Sequence, residues 1–153
     1  MEQNYEKFIE KVIYDVLYFA WDRIGDKIMR ELEIKKCQKC GAMVKIINDC
    51  QCEKCGIKCC NEDMTTLKAN SVDASLEKHI PNYEVKDNKL IVKVNHVMDD
   101  DHYIEWISLL TDIKEEYVYL KPGENAEVVF ESVDSGIIYS YCNKHGLWKQ
   151  EIN

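Results

Sequence analysis

The sequence predicts a mainly β protein: an antiparallel sandwich in the C-terminal half, behind a small cysteine-rich metal module and an N-terminal helical segment. Three observations carry this. From Lys68 onward, short β-branched and aromatic runs alternate with turn signals. Seven of the eight cysteines fall between Cys37 and Cys60. Residues 1 to about 35 hold apolar residues at helical spacing.

The strand runs are Leu90–Val94, Tyr103–Ile107, Tyr117–Leu120, Ala126–Phe130 and Ile137–Tyr141. Asp87-Asn88, Lys121-Pro122-Gly123-Glu124 and Ser135-Gly136 separate them as turns. Several short strands at this spacing describe a sandwich. The cysteine block contains two Cys-Gly turns, Cys40-Gly41 and Cys55-Gly56. A segment so short buries too little apolar surface to fold alone, so a metal is expected to hold it. In the N-terminal segment, Tyr5, Phe8, Ile9, Val12, Ile13, Val16 and Leu17 form one helical stripe, extended past Gly25 by Ile24, Ile28 and Leu32.

Composition narrows the function. The chain has 153 residues and a formal net charge of −8. That balance argues against a general nucleic-acid binder, which needs a basic surface. The longest apolar run, Val16 to Trp21, is far too short to span a bilayer, so no membrane contact is expected. The first residues lack the basic start and apolar core of a signal peptide. A cytoplasmic protein is therefore expected, and its cysteines point to metal before disulfides.

The run Cys142-Asn-Lys-His145-Gly-Leu-Trp148 is the most informative stretch. It places a thiolate and an imidazole three residues apart. The other histidines are His79, His96 and His102, and all lie at strand ends or turns of the β block. Structural zinc takes mostly sulfur. A set of four imidazoles and one thiolate suits a redox iron or copper better. Taken singly, each of these residues is unremarkable; their joint placement at strand ends makes the site. In the cysteine block, Cys37-Gln-Lys-Cys40 is a metal knuckle. Cys52-Glu-Lys-Cys55 is a second one, at close to zinc-ribbon spacing from the first.

These strings resemble the superoxide reductase and desulfoferrodoxin family. The resemblance rests on Glu77-Lys78-His79-Ile80-Pro81, on Asn95-His96-Val97-Met98, and on His102-Tyr103-Ile104-Glu105-Trp106-Ile107. It continues in Leu120-Lys121-Pro122-Gly123 and in Tyr141-Cys142-Asn143-Lys144-His145-Gly146-Leu147-Trp148. It covers the chain from about Cys37 to the end. Val97 departs from the family's proline, which loosens a loop and removes no ligand.

Behind the helical extension 1–35, read from its periodicity, the resemblance implies two segments: 36–68, a desulforedoxin-like module; and 69–153, an immunoglobulin-like sandwich of seven strands carrying iron. His79, His96, His102 and His145 would bind that iron equatorially, and Cys142 axially. The expected activity is one-electron reduction of superoxide to hydrogen peroxide, a detoxification reaction. Lys78 would attract the anion, and Glu77 would ligate the ferric metal afterwards. Backbone N–H groups are expected to tune the Cys142 sulfur. A small rubredoxin-like protein is the implied electron donor.

In the module, the resemblance pairs Cys37 and Cys40 with the doublet Cys59-Cys60, leaving Cys52 and Cys55 as alternative ligands. The family's glycine-rich stretch is replaced by Asp49-Cys50-Gln51-Cys52, and Asn61 stands where a glycine is usual. Four thiolates bind either iron or zinc. Iron would make an electron-transfer centre and zinc a structural clip. Cys50 would be a spare thiol. A non-catalytic electron carrier or redox sensor built on this module is the rival function. The N-terminal stripe is expected to make a homodimer.

Overall fold

The computed structural model describes residues 30–48, 56–71 and 78–153. Residues 1–29, with most of the expected helix, and residues 49–55 lie outside it. No α-helix occurs among the described residues. The end of the expected helical extension is instead extended: Ile34 and Lys35 belong to a first strand, β1 (Ile34–Lys36). Ile34 sits under the sheet as a core residue, and that burial sets its conformation.

Four more short strands build the cysteine module: β2 (Met43–Lys45), β3 (Lys58–Cys59), β4 (Glu62–Asp63) and β5 (Thr65–Thr66). Strands β2, β1 and β5 form one antiparallel sheet, and β3 pairs with β4 in a tight hairpin.

Seven strands follow: β6 (Asn82–Lys86), β7 (Lys89–Lys93), β8 (Ile104–Leu110), β9 (Glu115–Tyr119), β10 (Glu127–Glu131), β11 (Gly136–Cys142) and β12 (Gly146–Ile152). They form two antiparallel sheets, β10-β7-β6 and β12-β11-β8-β9. Five of the seven coincide with the runs read from sequence; β6 and β12 were not anticipated. In β12 the polar run Lys149-Gln150-Glu151 hides the alternation. In β6 most side chains are exposed, since it is an edge strand. The Asp87-Asn88 turn between β6 and β7 has φ of 49° and 59°, the left-handed pair that a two-residue hairpin turn requires.

Strands β7 and β10 alternate strictly between buried and exposed or half-buried positions, so they present one face to the core. That face meets Ile104, Ile107, Leu109 and Ile138 of the other sheet. Strand β11 is buried at all seven positions, which one sandwich core cannot explain. Its other face, with Ile137, Tyr139 and Tyr141, packs with Leu32, Ile34 and Met43 of the module side. The module therefore covers the outside of the larger sheet. Each large apolar side chain buried there contributes about 1.5–3 kcal/mol.

Polar links also join the layers, two of them to tyrosines of β11. The Leu32 amide donates to the Tyr139 hydroxyl at 3.1 Å, and Lys36 Nζ donates to the Tyr141 hydroxyl at 2.7 Å.

Candidate metal centres

The five residues singled out in the β block converge. One donor atom from each of His79, His96, His102, Cys142 and His145 lies within 4.8 Å of all the others. No other His, Cys, Asp or Glu among the described residues joins that group.

The order around the group is a square. Ring centroids of His79 and His96 are 4.7 Å apart, His96 and His102 4.6 Å, His102 and His145 4.8 Å, and His145 and His79 4.7 Å. The His96–His145 diagonal is 6.5 Å, close to the side multiplied by the square root of two. Neighbouring rings meet at 64° to 88°, so they stand edge to face. Nitrogens point inward: His79 Nε2 lies 2.8 Å from His145 Nδ1 and 3.1 Å from His96 Nε2, and His102 Nε2 lies 3.2 Å from His145 Nδ1. Two nitrogens bound to one ion at about 2.1 Å, at right angles, would be about 3 Å apart. Cys142 Sγ sits 3.5 Å from His96 Nε2 and 3.6 Å from His145 Nδ1. Those two nitrogens are diagonal partners, so the sulfur caps the square.

Local structure sets each donor. Strand register slips between Tyr141 and Cys142: Tyr141 pairs with Trp106 but Cys142 with Ile104. Glu105 is the extra residue of this bulge, and bulges re-aim side chains beside sites. Cys142 ends β11 and His145 precedes β12, so both ride one hairpin. The sequence reading placed them after the last strand; β12 corrects this. Gly146 has a φ of 77°, which lets the chain turn straight from His145 into β12.

Four further residues hold the donors or their loops, a role the sequence reading did not give them. Asn143 Oδ1 accepts from the Tyr103 amide at 3.1 Å, and Asn143 Nδ2 donates to the Asp101 carbonyl at 3.0 Å. It thus ties the hairpin to the loop bearing His102. Ser140 Oγ donates to the His79 carbonyl at 2.8 Å. Trp148 stacks on the His79 ring, 4.7 Å away at 21°. Gly123 N donates to the Met98 carbonyl at 2.7 Å, so the Lys-Pro-Gly turn steadies the His96 loop.

Burial lowers the pKa of His96 and of His102, which favours the neutral imidazole, the form whose lone pair can bind. Val97 contributes through its backbone: its carbonyl contacts His96 Nδ1. That contact puts the proton on Nδ1 and leaves Nε2 facing the square. Burial raises the Cys142 thiol, and the backbone N–H groups of His145 and Lys144 oppose it. The His145 amide points at the sulfur at 3.4 Å, meeting the expectation of amide donors there.

Lys78 is exposed beside buried His79. Glu77 lies outside the described residues. Lys144 is paired with Asp101 at 2.8 Å.

The second cluster comprises Cys37, Cys40, Cys59 and Cys60, again with all donor atoms within 4.8 Å of one another. Cys40 and Cys59 sulfurs are 3.6 Å apart, and Cys59 and Cys60 sulfurs 3.9 Å. Tetrahedral sulfurs at about 2.3 Å from one ion would be about 3.8 Å apart. The knuckle closes through Gly41 N donating to the Cys37 carbonyl at 3.0 Å, with Gly41 at φ 76°. Asn61 has a φ of 63°, which explains both the family's glycine and the tolerance of asparagine. Backbone N–H of Cys40 draws the Cys37 thiol down to about 7, whereas hydrogen bonding to Cys40 pushes Cys59 up to about 12. The alternative ligands Cys52 and Cys55, and Cys50, lie outside the described residues.

Known proteins are similar to this chain. The desulfoferrodoxin family profile matches residues 71–151. A desulfoferrodoxin of Desulfarculus baarsii is 42% identical over 124 residues, covering 78% of this chain and 96% of its own. A desulfoferrodoxin of Nitratidesulfovibrio vulgaris is 36% identical, covering 79% and 97%. The superoxide reductase of Treponema pallidum superposes with a TM-score of 0.61 at 28% identity, over 79% of this chain and 99% of that one. The fold and the His/Cys site thus define a protein of the superoxide reductase type. The chain belongs to the desulfoferrodoxin family.

Proposed function

We propose that this protein is a superoxide reductase, converting superoxide to hydrogen peroxide by one-electron reduction at a mononuclear non-haem iron. The observation that carries this reading is the square of four imidazoles capped by one thiolate. His79, His96 and His102 offer Nε2, His145 offers Nδ1, and Cys142 offers Sγ. The donor chemistry fits iron: neutral nitrogens suit the ferrous state, and a single thiolate raises electron density on the metal. Iron, when bound, supplies the single electron.

The chain's own residues do the rest. Lys78 supplies positive charge beside the site of an acidic protein, attracting the anion and supporting protonation. Glu77 would take the metal once peroxide has left. The amide of His145 moderates the thiolate. Trp148, Ser140 and Asn143 hold the donors in place.

Cys37, Cys40, Cys59 and Cys60 would hold a second ion, iron or zinc. The module 36–68 would then serve the iron domain 69–153 as an electron-transfer centre or a structural clip. A rubredoxin-like donor, a homodimer and a cytoplasmic setting complete the reading. No helix among the described residues is long and apolar enough to cross a membrane.

The test is a superoxide pulse on anaerobic ferrous protein. The expected result is stoichiometric oxidation with one peroxide formed per superoxide, lost in Cys142→Ser. Absence of any reaction with superoxide in the native protein rejects the enzyme. It would favour the carrier or sensor built on the cysteine module.

A further inference from the structure

An aromatic chain runs from the strand carrying Cys142 to the protein surface. Tyr141, peptide-bonded to Cys142, stacks on Trp106 with centroids 5.5 Å apart at 11°. Trp106 meets Tyr117 edge to face at 5.3 Å. Tyr117 stacks on Tyr119 at 6.2 Å and 19°. Every step lies within the range of direct aromatic contact. Trp106 is 4% exposed and Tyr119 is 74% exposed, so the chain leads outward. Trp106, Tyr117 and Tyr119 line one open groove between the module and the larger sheet. None of the four is among the donor atoms of the metal group, and Tyr119 ends β9 with its ring exposed.

Charge gives the chain a direction. Lys36 Nζ donates to the Tyr141 hydroxyl and lies 5.5 Å from its ring centre. Lys45 Nζ lies 6.0 Å from the Tyr117 ring centre. A cation over a ring disfavours removing an electron from it. Tyr119 has no such cation among the described residues, and its exposed phenol can release a proton to water. An electron vacancy entering at Tyr141 is therefore disfavoured at Tyr141 and Tyr117 and comes to rest at Tyr119.

We propose that Tyr141, Trp106, Tyr117 and Tyr119 form an exit route for oxidising equivalents, sparing Cys142 when peroxide reacts at the iron site. This rests on the iron reading of the first centre. Cleaving peroxide to two waters takes two electrons and two protons. A ferrous ion held by the four histidines and Cys142 would give one electron. The Tyr119 phenol gives the second electron and one proton, becoming a phenoxyl radical, and solvent gives the other proton. A small thiol in solution then donates a hydrogen atom, restoring the phenol and leaving a thiyl radical, two of which join as a disulfide; the metal would be left ferric. Without the route, the Cys142 thiolate is the nearest oxidisable group and would proceed to sulfinic acid.

The experiment adds hydrogen peroxide to the iron-loaded protein in the presence of a nitroso spin trap, and maps adducts and cysteine oxidation by peptide mass spectrometry. A trap adduct on Tyr119, absent from metal-free protein, is expected. In Tyr117→Phe and in Trp106→Phe that adduct should be lost, with sulfinic acid at Cys142 rising. Tyr117→Phe removes only a hydroxyl, so it decides the matter should Trp106→Phe fail to fold. An adduct on Tyr119 that persists in Tyr117→Phe, or no adduct on Tyr119 while native protein consumes peroxide, overturns the proposal. So does iron-loaded protein that leaves peroxide untouched. Superoxide is not added, so the outcome is separate from that of the superoxide pulse.

Discussion

The indole of Trp148 lies flat over the imidazole of His79, with centroids 4.7 Å apart at 21°. Trp148 is fully buried, and its Nε1 has no hydrogen-bond partner among the described residues. The ring therefore acts at this site through packing rather than through hydrogen bonding. Trp148→Ala should cost about 3–5 kcal/mol in stability, as truncation of a buried aromatic does, measured by urea denaturation. It should also weaken iron binding, because His79 loses the surface that fixes its ring. Trp148→Phe should retain much of both. Unchanged iron affinity in Trp148→Ala, measured by chelator competition on folded protein, would show that stacking does not hold His79.

Asn143 joins two donor-bearing segments through its side chain, accepting from Tyr103 N and donating to Asp101 O. Asn143→Ala removes both links while leaving all five donors in the chain. Residues that orient metal ligands typically change affinity by about 10–100-fold when removed. A loss of that size is expected in competition with a chelator, with the fold intact by circular dichroism. A full-affinity Asn143→Ala would mean the backbone alone sets the separation of His102 and Cys142.

Much of this site was legible in sequence because its chemistry is concentrated in residue types with few other uses. Four histidines and the isolated Cys142 had to be accounted for, and their strand-end positions put them on loops. What could not be read was their support. Ser140 and Asn143 are ordinary polar residues whose role depends on which strand lies opposite. Trp148 stood in a recognised motif, but only the β11–β12 hairpin folds it back onto His79. Strands β6 and β12 were missed for related reasons. An edge strand such as Asn82–Lys86 keeps polar faces, and Gly146–Ile152 carries Lys149-Gln150-Glu151 on partly exposed positions. Burial of β11 on both faces also depended on the module packing outside the sheet, which no local pattern encodes.

Lys78 is exposed next to His79 and has no ion pair among the described residues, whereas Lys144 is tied to Asp101 at 2.8 Å. The two lysines should therefore differ in kinetics. Lys78→Ala should slow the reaction with superoxide by about tenfold, within the range typical of electrostatic steering. It should also flatten the dependence of the rate on ionic strength, because the screened attraction has been removed. Lys144→Ala should change either quantity much less. Stopped-flow or pulse radiolysis rates at several salt concentrations check both. Equal losses in the two variants would mean that overall charge, not position, governs the encounter.

The cysteine module tests how far one centre depends on the other. Its strands are two or three residues long, too short to persist on pairing alone, and its four sulfurs crowd together as a bound ion would arrange them. Cys40→Ser should therefore lower the metal content from two ions per chain to one, while iron at the histidine site remains. Hydrogen exchange should then show where the metal acts. The amides of Gly41, bonded to Cys37 O, and Met64, bonded to Ile57 O, should lose protection. Those of Leu109 and Ile138, in the sandwich core, should keep theirs. Loss of protection across β8 and β11 as well would show that the module supports the whole larger sheet. In that case the second metal would be a condition for the first centre's geometry rather than a separate feature of the chain.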